Sequence, residues 1–297
     1  MFKQMISTTL LAGAALAVLT VQPAIATQAP SHPAFSVKVT GAGGSGAPVI
    51  LIPGLASPGE VWDGTVQRFC AARQCHVLTL AGFAGAPAID APLLPAVEQQ
   101  LSTYIAENKM GKPVLIGHSM GAFLALKLAA DHPEQVGRVV VVDALPALGA
   151  TQMPNVTAKQ LDAMAAQMRD RVLQGDDATF AAQQRQTAGT LVTGKADVER
   201  IVAWSLKSDR KAMATSMYQM LADDLRPGLA RIKAPTLVLA GVAGFKAFMP
   251  RGAVEAMYVS QYQNLSGVQI ELADNARHFI MYDDPDWMYA RIDQFLK

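Results

Sequence analysis

Cysteine is nearly absent from this sequence of 297 residues: Cys70 and Cys75 are the whole complement, spaced C-x4-C, and no His or Cys cluster accompanies them. A structural zinc ion normally takes four ligands, so this spacing excludes one, and the lack of any H-E-x-x-H removes the metalloprotease pattern. Charge of one sign is missing as well. The chain carries 25 Lys and Arg against 24 Asp and Glu with no long run of either, which leaves no stripe for a nucleic acid or other polyanion. The most apolar run, Leu10 to Leu19, is broken afterwards by Thr20 and Pro23. It is well short of the ~20 residues that a membrane span needs. No cysteine follows that run to carry a lipid, so no stable membrane anchor is expected.

What is present at the start of the chain has the layout of a secretory signal. Lys3 supplies a positive n-region, Leu10 to Leu19 an apolar centre, and Ala24-Ile25-Ala26 an A-x-A cleavage site. Cleavage after Ala26 leaves 24 basic and 24 acidic side chains and places the protein in the periplasm or outside the cell. In such a compartment a disulfide between Cys70 and Cys75 is expected, closing a short loop between a helix end and the strand His76 to Leu80.

From residue 27 onward, strand and helix patterns alternate. Strands are expected at Ala34 to Thr40, Val49 to Ile52, His76 to Leu80, Val114 to Ile116, Arg138 to Val142, Thr236 to Ala240 and Val268 to Leu272. Helices are expected at Trp62 to Ala72, Leu94 to Asn108 and Trp287 to Leu296. The β-branched run at Arg138 to Val142 reads as a strand buried on both faces. The whole pattern specifies an α/β fold: a mostly parallel central sheet with helices on both faces. Residues 147–228 break the rhythm, with no strand and with helical stretches at Ala158 to Gln174, Ala178 to Gln186 and Arg210 to Asp224. They form an expected helical cap between two core segments, 27–146 and 229–297, lying over the edge where open α/β sheets bind ligands.

Two glycine motifs imitate nucleotide sites. Gly41 to Gly46 matches G-x-G-x-x-G, yet a strand follows it where a helix is required. Gly189 to Lys195 matches G-x-x-x-x-G-K but continues with Ala196 in place of the metal-binding Ser or Thr. Neither supports a nucleotide, and no cofactor or metal is expected.

The informative motif is Gly117-His118-Ser119-Met120-Gly121. An apolar strand runs into it and a helical pattern, with Phe123, Leu124, Leu126 and Ala129, runs out of it. A serine hydroxyl is a poor nucleophile at neutral pH and must be exposed on a sharp turn beside a base and N–H donors. With Gly117 and Gly121 flanking it, Ser119 satisfies that description.

With this motif in this setting, the sequence resembles the α/β-hydrolase-fold serine hydrolases that carry a cap. The resemblance extends from Leu51-Ile52-Pro53-Gly54-Leu55 to the terminal helix and implies the chain order nucleophile, acid, histidine. Of five histidines only His278 follows the last strand and precedes the last helix, so it is the expected general base and acid. The acid departs from the usual pattern: the loop after the penultimate strand, Leu237 to Phe245, has no carboxylate. Asp143, directly after the strand Val139 to Val142, takes the role in some family members and is the expected acid here, with Asp274 as the alternative. Asp283 and Asp284 read as the lead of the last helix. The backbone N–H groups of Leu55 and Met120 are the expected oxyanion hole, with Pro53-Gly54 standing where the family usually has His-Gly. Trp62 is expected to pack in the core. Epoxide hydrolases and haloalkane dehalogenases share the fold but place Asp at the nucleophile.

The expected activity is cleavage of a small to medium apolar ester, a small-molecule substrate. Met153, Met164, Met168, Met213, Met217 and Met220 lie in the cap, where a flexible apolar side chain suits either a pocket wall or a helical core. Two alternatives stand beside it. One is cofactor-free perhydrolase or haloperoxidase-like chemistry on the same triad. The other is a binding protein that keeps the fold without catalysis.

Overall fold

The computed structural model of the protein describes residues 32–297 apart from 42, 45 and 152–155. The expected signal segment 1–26 and Met153 lie outside the described residues. Seven strands form one sheet: β1 (Phe35–Thr40), β2 (Val49–Ile52), β3 (Cys75–Leu80), β4 (Val114–His118), β5 (Arg138–Val142), β6 (Thr236–Gly241) and β7 (Gln269–Ala273). Their order is β1-β3-β2-β4-β5-β6-β7, with β1 antiparallel to β3 and every other neighbour parallel. Parallel neighbours need crossovers. These are supplied by α1 (Asp63–Phe69), α2 (Leu93–Glu107), α3 (Met120–Asp131) and α8 (Arg251–Tyr262), and a short α9 (Ile280–Asp283) precedes the closing α10 (Pro285–Leu296).

Side chains alternate along each strand and so divide between two cores. Ile50 and Ile52 of β2, Leu115 of β4 and Val139 and Val141 of β5 pack with Val97 and Leu101 of α2, Phe123 of α3 and Val254 of α8. Val49, Leu51, Ile116, Val140 and Val142 face the other way, onto Trp62, Phe69, Met288, Ile292 and Phe295. β2, β4 and β6 are buried along their whole length. At about 1.5–3 kcal/mol for each large aliphatic side chain taken out of water, these two layers hold the sheet's register. Trp62 is fully buried. Its expected helix is shorter than the sequence pattern indicated: a 3-10 turn at Gly59–Trp62 leads into α1, which stops at Phe69. Cys70 and Cys75 are bonded to each other with Cα atoms 5.6 Å apart, joining the end of α1 to the start of β3.

Between β5 and β6 stand four helices, α4 (Ala158–Gln174), α5 (Asp177–Leu191), α6 (Lys195–Lys207) and α7 (Arg210–Ala222). Their starts are written into the sequence. Thr157 and Gln160 form a capping box on α4, and Asp176 and Asp209 accept the amides of Thr179 and Ala212 at α5 and α7. Gly189 falls inside α5 and Lys195 opens α6, so the G-x-x-x-x-G-K stretch spans a helix–helix corner with no strand before it.

Candidate active site

Parallel register aligns the C-terminal ends of the central strands: Ile52 pairs with Gly117, His118 with Val142, and Val142 with Leu239. The residues that leave those ends therefore gather on one edge of the sheet.

Ser119 leaves β4 with φ 52° and ψ −120° and is followed at once by α3. A left-handed φ strains any residue with a Cβ. Here it is held by the Ser119 N–H donating to Val142 O (2.9 Å) and by the Ser119 carbonyl accepting from Ala122 and Phe123 (2.9 and 3.0 Å). The flanking glycines are demanded by backbone crowding. A Cβ on Gly117 would sit 2.4 Å from Ala122 N, and one on Gly121 would sit 2.2 Å from Ile52 O.

Asp143 leaves β5, also at positive φ (51°), with its N–H donating to Leu239 O (2.8 Å). Its Oδ2 lies 2.6 Å from His278 Nδ1. Its Oδ1 accepts from Gly241 N–H (2.6 Å) and from the Tyr258 hydroxyl of α8 (2.8 Å). Burial, reinforced by the Asp143 charge, pushes the phenol of Tyr258 well above its ordinary range, so it stays a proton donor. The bond to the carboxylate fixes the proton of His278 on Nδ1 and leaves Nε2 as its acceptor nitrogen. Asp274, the other candidate acid, points elsewhere: it pairs with Arg251 Nε at 2.7 Å and is half exposed. Asp283, expected to lead the last helix, ends α9 instead and ties together the segments around His278. Its Oδ2 accepts from Arg277 N–H (2.8 Å), and its Oδ1 accepts from the amide and hydroxyl of Thr193 (2.8 and 2.6 Å). Asp284 occupies the N-cap position of α10.

His118, inside the elbow, has a positioning contact. Its Nε2–H donates to the His278 carbonyl (3.1 Å). Burial, and then the proximity of His278, hold its pKa well below the ordinary histidine value against the opposing effect of that hydrogen bond. It therefore acts as a neutral donor. Gly54 packs on the same pair, since a Cβ there would lie 2.9 Å from His118 Nδ1 and 3.1 Å from Ser119 Cβ.

Ser119, His278 and Leu55 line one cavity of about 440 Å³ with residues of all four inserted helices, including Met168, Phe180, Ile201, Met213, Met217 and Met220. Met164 lies on the surface, 42% exposed. Met120 opens α3, so its N–H has no intrahelical acceptor and sits at the positive end of the helix dipole. A hydroxyl and an oriented imidazole on an apolar cavity, beside the start of a helix, can perform acyl transfer. Among the described residues no group of three His, Cys, Asp or Glu side chains could hold a metal ion.

The fold and this edge of the sheet define an α/β hydrolase. A sequence profile of the alpha/beta hydrolase family matches residues 49–291, and the chain belongs to that family. The chain is similar to N-formylmaleamate deformylase of Pseudomonas putida, 24% identical with 86% of this chain and 90% of that protein covered. It is 25% identical to a pimeloyl-[acyl-carrier protein] methyl ester esterase of Aeromonas salmonicida, over 78% of this chain and 90% of the relative. The solved enol-lactonase from Burkholderia xenovorans superposes with a TM-score of 0.70 at 18% identity, covering 88% and 96% of the two chains; that likeness is one of fold.

Proposed function

We propose that this protein is an exported serine hydrolase that cleaves a small to medium apolar ester, or a related acyl compound, through an acyl-serine intermediate. The observation that carries the proposal is the Asp143–His278 pair at 2.6 Å, on the same cavity as a serine held in an elbow conformation. In this reading His278 Nε2 takes the Ser119 proton as Oγ attacks the carbonyl carbon. The developing oxyanion is met by the Leu55 and Met120 N–H groups, and the imidazolium returns its proton to the leaving alcohol. Water, deprotonated by the same Nε2, then attacks the acyl-serine and releases the acid. Asp143 keeps the tautomer and stabilises the imidazolium without taking the proton. An esterase and a deformylase among the relatives agree with acyl-group chemistry. Export is supported by the leader pattern in the sequence and by the Cys70–Cys75 bond, which suits an oxidising compartment.

A fluorophosphonate probe tests the nucleophile. One adduct on Ser119, absent in Ser119→Ala, is expected, and a folded wild-type protein that takes no label would sink the proposal and leave a binding protein in its place. N-terminal sequencing of protein recovered from the periplasm or medium should begin at Thr27.

A further inference from the structure

Ser119 and His278 lie on the seam of two cavities. The first is the lobe of about 440 Å³ beneath the inserted helices. The second, about 160 Å³, is walled by Phe123, Leu145, Phe245 and Tyr258. Leu148 and Met220 line both lobes. An acyl bond placed at Ser119 has one lobe available to each half of its substrate. The larger lobe has between two and three times the volume of the smaller.

Charge narrows the class further. No Asp, Glu, Lys or Arg is among the described residues lining the larger lobe. The one charged residue of the smaller lobe, Asp143, is already occupied by Gly241, Tyr258 and His278. A substrate carboxylate would lose its hydration there and meet no cation, a cost that an apolar lining cannot offset.

We infer that the substrate is a neutral, lopsided ester: one side of the scissile bond long and apolar, the other short, with Leu148 and Met220 setting that limit. The inference rests on the acyl-serine reading. It is tested by kcat/KM for methyl hexanoate, hexyl acetate and benzyl hexanoate, together with monomethyl adipate and 6-acetoxyhexanoate, which carry a carboxylate at the end of the long side. At least one of the first two esters should exceed benzyl hexanoate, which is bulky on both sides, by tenfold or more, and whichever wins assigns the long side to acyl or alcohol. Lengthening the long side should raise kcat/KM about fourfold per methylene until the lobe fills. The carboxylate-ended partner of the winning ester should be at least a hundredfold slower. Leu148→Ala and Met220→Ala, made separately, should each bring benzyl hexanoate to within threefold of the winner.

Wild-type protein that hydrolyses benzyl hexanoate as fast as the short-sided esters, or the carboxylate-ended esters as fast as the neutral ones, overturns the inference without any variant. If Ser119 still takes the fluorophosphonate, only the substrate class falls. If there is neither label nor hydrolysis, the acyl-serine reading falls and this inference with it.

Discussion

Replacing Asp143 by Asn separates the geometry of the carboxylate from its charge, and the surrounding donors dictate the result. In the wild type two donors, Gly241 N–H and Tyr258 O–H, converge on Oδ1, while His278 Nδ1 alone meets Oδ2. An Asn side chain offers one acceptor oxygen and one NH₂. The oxygen must take the place with two donors, because the opposite flip would leave both facing an NH₂. The amide NH₂ then faces His278 Nδ1, which must accept. The imidazole proton moves to Nε2, and the nitrogen that should receive the Ser119 proton carries one already. Loss of a triad acid by this route costs on the order of 10⁴ in kcat, or about 5.5 kcal/mol of transition-state stabilisation at 1.36 kcal/mol per decade. All three hydrogen bonds are re-formed with reversed polarity at one of them, so stability should fall by no more than about 1.5 kcal/mol. Initial rates on p-nitrophenyl acetate, normalised to folded protein by urea titration, measure both quantities. Asp274→Asn is the control: its pair with Arg251 is half exposed, and such pairs contribute about 0–1 kcal/mol. Activity of Asp143→Asn within tenfold of wild type, or a comparable fall in Asp274→Asn, refutes the reasoning.

Tyr258→Phe removes one of the two donors to Asp143 Oδ1. The carboxylate that orients His278 loses one of its fixed contacts, so kcat should fall by about tenfold while KM stays level; an unchanged kcat would reduce Tyr258 to packing. His118 has a folded pKa depressed by burial, so below about pH 6.5 the unfolded chain binds a proton that the native one does not. Stability should therefore fall with decreasing pH, by up to about 1.36 kcal/mol per unit from this group. His76, also lowered by burial, adds in the same direction. Urea midpoints between pH 7.5 and 5.5 should show a shallower fall in His118→Asn than in wild type, and equal slopes would contradict this account. Reducing the Cys70–Cys75 bond, which joins residues five apart, should cost about 2 kcal/mol by the loop-entropy relation. A urea midpoint unchanged by reductant would show that the bond contributes nothing.

Strands and elbow were legible because each has a period or a motif: all seven expected strands exist within a residue or two of their expected ends. Three helices were not, the single turn α9 among them. α6 was hidden by its glycine-rich approach, and α8, Arg-Gly-Ala-Val-Glu-Ala-Met-Tyr-Val-Ser-Gln-Tyr, mixes Gly, β-branched and aromatic residues that lower helix propensity. Tertiary burial overrides that propensity, with Val254, Tyr258, Gln261 and Tyr262 turned inward at helical spacing. Counting that spacing would have found α8, though not the partner of its Tyr258 hydroxyl, which lies 115 residues away. The contacts of Asp283 and His118 had no comparable signal. Each joins segments far apart in sequence, and no local pattern reports which backbone group a buried polar side chain will meet.

The vacant loop after β6 is more than a missing carboxylate. Gly241 ends that strand, and a Cβ there would lie 2.4 Å from Arg277 O, so the turn before His278 closes directly onto the strand end. Val242 N–H donates to Ala273 O (3.0 Å) and Ala243 N–H to Ala276 O (2.9 Å), pinning the same approach. An acid on β5 is one strand further from β7 than an acid on β6, a displacement of about 4.8 Å. The close approach over Gly241 lets the imidazole reach across that strand to Asp143 at 2.6 Å. The Gly241 N–H then completes the carboxylate's hydrogen bonding from below. In the proposed site the acid on β5 and the end of β6 without a side chain belong together, because a Cβ at Gly241 would lie 2.4 Å from Arg277 O and displace the turn that brings His278 to Asp143.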